Sequence, residues 1–408
     1  MMQLTPSKSV LLRRSIPQPA RPFSRAKVAT SLDLPRDHHQ QFMASLSGPK
    51  ALALHKRFTL DFHADPDLER LSEKQANFLY KRGFLPEKVR LYGLTPDNID
   101  LYLSDVQRWL TRLVNGSYSI VFNDKVLFTQ VLGRYCRVPD IIATFRNGRA
   151  IPYSPIWDRV VNGQDDGRMM VAKPLGGGGG GSVYFIRTDR HHAVVETNDD
   201  SNSRIIVKVD ELAEVLAGQE VPFILNDYIQ QGVFTKTLFP LTVNTLRVLV
   251  VRSPITGQAR VMRAVQRIGT SESYPIDNFS LGGLSSEVDL VSGELGCAVA
   301  AEGKYKGHGW ECHPDTGERI RGKRVPDWEN IKHGICRVFN QLPYVKYCGF
   351  DLVIDDEGVV VLEGNSYSQV RLFQMNRPLL ECQELVEFYK KEGLLGNYKE
   401  KQEAIAAG

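Results

Sequence analysis

Lys173 is followed by Pro174 and Leu175, then by six consecutive glycines (Gly176, Gly177, Gly178, Gly179, Gly180 and Gly181) and Ser182. Apolar stretches at 169–172 and 183–186 flank this run, so it reads as a loop between two strands. Glycine adopts φ values that other residues avoid, which lets successive backbone N–H groups point into one concavity and cradle phosphate oxygens. A lysine at the mouth adds a point charge for a phosphate. The run satisfies Gly-x-Gly-x-x-Gly trivially. A dinucleotide site needs a helix after the loop and a Walker site needs Gly-Lys-Ser/Thr, and the sequence has neither. Two readings remain, a flap over a triphosphate or a plain flexible linker. The flanking strands and the lysine favour the flap.

A second group of chemically capable residues lies far downstream. Gly349-Phe-Asp351-Leu-Val-Ile and Val359-Val-Val-Leu-Glu363-Gly-Asn365 are joined by Asp355-Asp356-Glu357-Gly358, the pattern of a hairpin. Antiparallel pairing brings Asp351 near Glu363 and Asn365, and the last two, spaced by two, share a face. Three oxygen donors converging in this way suit Mg²⁺, which takes few protein ligands and completes its shell with phosphate and water. Acids at strand ends are otherwise ordinary solvated residues. The run 355–357 reads as a solvated turn.

These groups need strands and helices to hold them. Strands are expected at 169–173, 183–186, 205–209, 223–227, 246–252, 261–266, 350–354 and 359–362, and helices at 125–135, 211–217 and 328–342. Residues 34–120 read as mainly helical, and the apolar spacing over 101–114 predicts one helix with a buried face. Grouped strands with intervening helices indicate an α+β class.

The chain has 408 residues and a formal net charge of +4. Residues 1–32 hold six basic residues and no acid, and the remainder carries 45 basic against 47 acidic residues. The basic balance therefore belongs to the tail. Without a basic patch interleaved with aromatics, a nucleic-acid partner is not expected. No apolar run approaches the roughly 18 residues of a membrane span. The Ser-, Pro- and Arg-rich tail reads as a disordered extension, with organelle targeting as the alternative, and the protein as cytoplasmic. The six cysteines form no Cys-x-x-Cys pair and read as reduced thiols. Cys312-His313 is a weak hint of metal, and Trp310 is a candidate sugar-stacking or core residue. No pattern specifies an oligomeric state.

Taken in order, Asn123-Asp-Lys125, Lys173-Pro, Val243-Asn-Thr-Leu-Arg247, Asp277-Asn-Phe-Ser-Leu-Gly-Gly283, His313-Pro-Asp-Thr-Gly317, Gly349-Phe-Asp351 and Glu363-Gly-Asn365 resemble the sugar-transfer-associated family of the ATP-grasp superfamily. The resemblance covers residues from about 75 to 380. It implies an ATP-grasp fold, two α+β subdomains gripping ATP, with a mainly helical N-terminal region. The implied organisation is a basic tail over 1–33, helices over 34–120, a first subdomain with the flap over 121–230, a second with the metal site over 231–395, and a tail over 396–408. Lys125, Lys173 and the 176–182 loop would contact phosphates. Asn226 would head the hinge strand, where the carbonyl of Asp227 and the amide of Ile229 read adenine. Arg247 and Arg267, on neighbouring strands, would be catalytic, stabilising the transferring phosphoryl group. Asp351, Glu363 and Asn365 would hold Mg²⁺ or Mn²⁺, and Asn278 and His313 would contact substrate. The sequence departs from the family in placing Asn226 where glutamate is usual and in lacking the ribose-binding acid, for which Gln230 or Gln231 would substitute.

The implied reaction is ATP-dependent joining of a carboxylate, small or sugar-linked, to an amine through an acyl-phosphate, in polysaccharide or glycoconjugate assembly. A kinase using the same metal triad is one alternative. A nucleotide-binding protein without turnover is the other, and the intact charges at Lys173, Arg247, Asp351 and Glu363 argue against it.

Overall fold

The computed structural model describes residues 49–176, 183–197, 204–219 and 221–395. The tail 1–33, the flap residues 177–182 and the C-terminal 396–408 lie outside the described residues.

Two antiparallel sheets organise the chain. The first contains β1 (Ile141–Arg146), β2 (Arg149–Pro152), β3 (Met169–Pro174), β4 (Tyr184–Thr188), β5 (His192–Thr197), β6 (Arg204–Lys208) and β7 (Phe223–Asp227), in the order β2-β1-β7-β3-β4-β5-β6. The second contains β8 (Leu246–Arg252), β9 (Ala259–Ile268), β10 (Leu284–Val288), β11 (Leu295–Ala300), β12 (Gly307–Trp310), β13 (Tyr347–Asp355) and β14 (Gly358–Asn365), in the order β12-β11-β10-β9-β8-β13-β14.

The centre of the second sheet is buried on both faces, and its sequence shows why. β8 reads Leu-Arg-Val-Leu-Val-Val-Arg, nearly continuous in apolar character, as a strand covered on both sides must be. Leu249 and Val251 point into one core with Phe58, Phe84 and Trp109 of the N-terminal helices and Phe388 near the C-terminus. Leu246, Val248 and Val250 point into another, with Phe122, Phe128, Leu132, Ile335 and Phe339. Residues 120–132 thus pack on the second sheet, although sequence order groups them with the first. The first sheet has its own core, built on Phe145, Trp157, Leu212 and Leu225.

All the expected strands form, some longer than their apolar runs. The expected helix over 101–114 does not form as one unit. Ser104 starts a new helix, Asp105–Leu110, with a reciprocal capping box. The Gln107 N–H donates to Ser104 Oγ (3.2 Å), and the Ser104 N–H donates to Gln107 Oε1 (2.8 Å). A 3₁₀ turn follows over Thr111–Leu113. The β1–β2 hairpin was not anticipated, although its turn is Asn147-Gly148 with both φ values positive (51° and 73°), the pair that a tight hairpin of matching twist prefers. The turn 355–357 is not simply solvated. Asp355 takes a two-pronged bond from Arg137 (2.9 and 2.8 Å), and Asp356 accepts the Val233 N–H (3.1 Å). Asp356 and Glu357 are exposed, and Asp355 is half-buried.

Candidate active site

The hairpin β13–β14 pairs Asp351 with Glu363 and Gly349 with Asn365, and β13 pairs Asp351 with Arg247 on β8. Glu363, Asp351 and Arg247 therefore form one row across three adjacent strands, the register that cross-strand contact requires. Arg247 grips both oxygens of Asp351. Its Nε donates to Oδ1 and its Nη2 to Oδ2 at 2.7 Å. Arg267 on β9 reaches Asp351 Oδ1 at 3.4 Å and Asp277 Oδ1 at 2.7 Å. Asp277 is buried and also accepts from the Thr245 N–H (2.7 Å) and Oγ1 (2.6 Å), so it fixes Arg267 to the strand beside it. Asn365 Nδ2 lies 3.4 Å from both Asp351 Oδ2 and Glu363 Oε1, which brings the three expected metal residues together.

Two motif glycines make this packing possible. A Cβ on Gly349 would stand 2.3 Å from Ser368 Oγ, and one on Gly364 would stand 2.4 Å from the Phe122 ring. Phe122 is held edge-on against Phe350 in the core and has no room to yield. Gly364→Ala is expected to destabilise the fold by about 1–3 kcal/mol in urea unfolding through overpacking alone.

Opposite this row stand the two lysines. Lys125 opens the helix Lys125–Leu132, capped by Asp124, whose carboxylate accepts the Val126 and Leu127 N–H groups at 2.9 Å. The Lys125 N–H donates to the Leu175 carbonyl (3.3 Å), and Asp124 bridges Gly176, so this helix start adjoins the root of the glycine loop. Lys173 stands next to last in β3, beside it. One cleft of about 580 Å³ is lined by Lys125, Lys173, Gly176, Asn226, Asp227, Ile229, Arg247, Arg267, Asn278, Asp351, Glu363 and Asn365.

Burial and neighbouring charge set the electrostatics. Burial lowers the Lys125 pKa to about 8, with Lys173 adding repulsion and Glu363 opposing the shift. Burial also lowers Lys173, against the pull of Glu363 and Asp351. For Asp351 burial works against ionisation, but Arg247 and Arg267 outweigh it and hold the carboxyl at about 2. Asp277 moves the other way, since its burial exceeds the help of Arg267 and Thr245. Desolvated cations facing a cleft gain from an anionic ligand.

Several expected roles are corrected. His313 is 1% exposed and outside the cleft. Its Nδ1 accepts the Asp315 and Thr316 N–H groups (3.1 and 3.3 Å), which leaves Nε2 to donate to the Gly269 carbonyl (2.7 Å). The ring stacks on Phe239, so His313 folds its own turn and has no nitrogen left for substrate or metal. Gln231 is spent on Phe239, Thr242 and Asn244 and has no group left for a ribose. Asn226 donates to the Asp140 carbonyl (3.0 Å), and Asp227 pairs with Arg168 (2.5 Å), so both side chains brace the hinge. Asn278 lines the cleft while capping the turn Phe279–Leu281. Trp310 bonds the Tyr305 carbonyl and packs on the second core. Arg108, which also lines the cleft, was missed because its position depends on a helix start that the periodicity hid.

The sequence profile of the sugar-transfer associated ATP-grasp family matches residues 106–386. The chain belongs to that family. Among solved structures, this ATP-grasp chain is similar to an ADP complex of N5-carboxyaminoimidazole ribonucleotide synthetase, at 10% identity over 67% of this chain and 53% of that one, with a TM-score of 0.34. It is also similar to the D-alanine–D-alanine ligase from Coxiella burnetii (12%, 74% and 68%, TM-score 0.35) and to a RimK domain protein from Sphaerobacter thermophilus (13%, 72% and 79%, TM-score 0.33). The chain spans about half the length of the first of these. No curated protein matches it. The two sheets are thus those of an ATP-grasp fold, with an N-terminal helical layer that largely precedes the matched region. Among the described residues, no helix is long and apolar enough to cross a membrane.

Proposed function

We propose that this ATP-grasp protein is an ADP-forming ligase that activates a carboxylate with ATP and joins it to an amine. The observation that carries the reading is one cleft lined both by Lys125, Lys173, Arg247 and Arg267 and by Asp351, Glu363 and Asn365. Phosphoryl transfer asks for charge neutralisation and positioning more than for a covalent protein group, and this cleft offers both. Lys125 and Lys173 hold the phosphates at the root of the glycine loop. The backbone of Asp227 and Ile229 reads adenine, a role left to the main chain because the Asp227 side chain is committed to Arg168. Arg247 and Arg267 orient the transferred group and the acyl-phosphate, and Asn278 approaches the phosphates from the turn it caps.

Glu363 and Asp351 place carboxylate oxygens on either side of the Asn365 amide, whose Nδ2 lies 3.4 Å from each. Two carboxylates with one amide are a donor set that would hold Mg²⁺ or Mn²⁺. Bound there, the ion would neutralise phosphate charge as it develops. We place the reaction in polysaccharide or glycoconjugate assembly in the cytoplasm, with a small or sugar-linked acid; of this, the sugar-transfer association of the family supports only the link to sugars.

The test is product analysis. Pools of acids and amines incubated with the protein, ATP and Mg²⁺ are expected to give ADP, free phosphate and an amide only when both partners are present. A phosphorylated product without free phosphate would make the protein a kinase instead.

A further inference from the structure

A second cavity, of about 1050 Å³, lies beside the cleft under the N-terminal helices. Leu54, Leu85, Trp109, Leu110 and Leu113 give it an apolar wall. Arg108, Tyr367 and Gln369 line both this chamber and the nucleotide cleft, so they form the partition between the two.

Arg108 is the informative residue there. Its guanidinium lies 3.8 Å from the centre of the Tyr367 ring, and its Nε donates to the Ser368 carbonyl at 3.3 Å. Among the described residues no carboxylate lies within ion-pair distance of it, and Asp105 acts on it from farther away. Two other cations of the chamber differ. Lys88 is closed by Glu87 and Asp105, and Arg371 by Glu302. Burial pushes the Arg108 pKa down, and Tyr367 and Asp105 oppose the shift without reversing it. Ser368 also joins Arg108 to the site of chemistry, because its Oγ accepts from Arg247 Nη1 at 3.5 Å. A shielded, unpaired guanidinium between an apolar chamber and a phosphate cleft is poorly solvated until an anion arrives.

We propose that the chamber binds the acid to be activated, and that this acid is amphipathic. Its apolar body fills the space against Leu54, Leu85 and Trp109, and its carboxylate is held by Arg108 at the opening to the nucleotide cleft. The assignment of this acid as the one activated rests on the ligase reading. The size of the chamber supports a body larger than a free amino acid, since cavities of roughly 300–1,000 Å³ take ligands of drug size. Leu54 and Leu85 precede the residues matched by the family, whereas Arg108, Trp109, Leu110 and Leu113 lie within them, so the chamber is built from both parts of the chain.

The probe is 4-(1-pyrenyl)butyrate, compared with its uncharged methyl ester and followed by quenching of tryptophan fluorescence. The wild-type protein is expected to bind the acid at least about tenfold more tightly than the ester, the scale of one charge-assisted bond. Arg108→Ala should abolish that preference, and Arg108→Lys should restore part of it. Leu113→Trp, which fills the chamber from its exposed rim, should weaken acid and ester alike and serves if Arg108→Ala does not fold. Equal binding of acid and ester to the wild type, or a preference that survives Arg108→Ala, would overturn the proposal. Calorimetric titration of the wild type with Mg²⁺-ATP reports separately. Absence of ATP binding would sink the ligase reading while leaving the acid site standing, and ATP binding without acid preference would do the reverse.

Discussion

Glu363→Gln is expected to lower ADP release on the order of 10²–10³-fold while leaving the fold intact. Glu363 is half-buried, and its hydrogen bond comes from Asn365, so exchanging its carboxylate for an amide removes charge without opening a cavity. The control is Glu357→Gln on the same hairpin. Glu357 is largely exposed and shares Arg137 with Asp355, and such a surface pair contributes little. Steady-state ADP release and melting temperature, measured for both variants, separate the outcomes. Equal behaviour of the two would remove the metal assignment. A lower melting temperature for Glu363→Gln with normal turnover of the folded fraction would make Glu363 a structural residue.

Arg247→Ala is expected to cost about 3–5 kcal/mol of stability at pH 7, the scale of stranding one partner of a buried ion pair. Asp351 is 2% exposed and both its oxygens rest on Arg247, with Arg267 at 3.4 Å as the remaining cation. The pH dependence gives the effect a signature. In the wild type the Asp351 pKa lies below its unfolded value, so its contribution is present above pH ~4 and is lost as pH falls through about 2. Without Arg247, burial dominates and raises that pKa, so the variant relieves the stranded charge by taking up a proton. The gap between the two proteins should therefore narrow as pH is lowered from 7 toward 4. Urea unfolding at several pH values measures it. A small gap that ignores pH would mean that Arg267 alone neutralises Asp351.

What could be read from the sequence followed from local rules. The hairpin 350–362 was legible because apolar runs flank an acidic turn ending in glycine, and its period of two fixed which side Glu363 and Asn365 share. The ATP-grasp fold was legible through motifs in fixed order. What was hidden depends on long-range register. Arg247 and Asp351 are 104 positions apart, and nothing local says that one will occupy both oxygens of the other. His313 and Gln231 look like site residues because they are polar and lie in motifs, but each is consumed by backbone groups that only the folded chain brings near. The helix start at Ser104 was legible in principle, since Ser-x-x-Gln is a capping signature, but the apolar spacing running through it masked the break.

The strap between Asp124, Lys125 and the segment Leu175–Gly176 has a mechanical consequence. The chain passes between the two sheets at residues 133–140 and again after Asp227, and these passages lie side by side, joined where Asn226 and Asp227 bond the Asp140 carbonyl. The strap is a further attachment, near Pro222 at the other end of β7, five residues along the strand and roughly 17 Å away. A body held at two separated points retains one easy rotation, about the line through them, as a door does on two hinges. Wider or skewed opening must first break the strap, at a net cost of about 1 kcal/mol for each backbone bond. Because Lys125 sits on that line, a rotation about it would leave Lys125 nearly fixed.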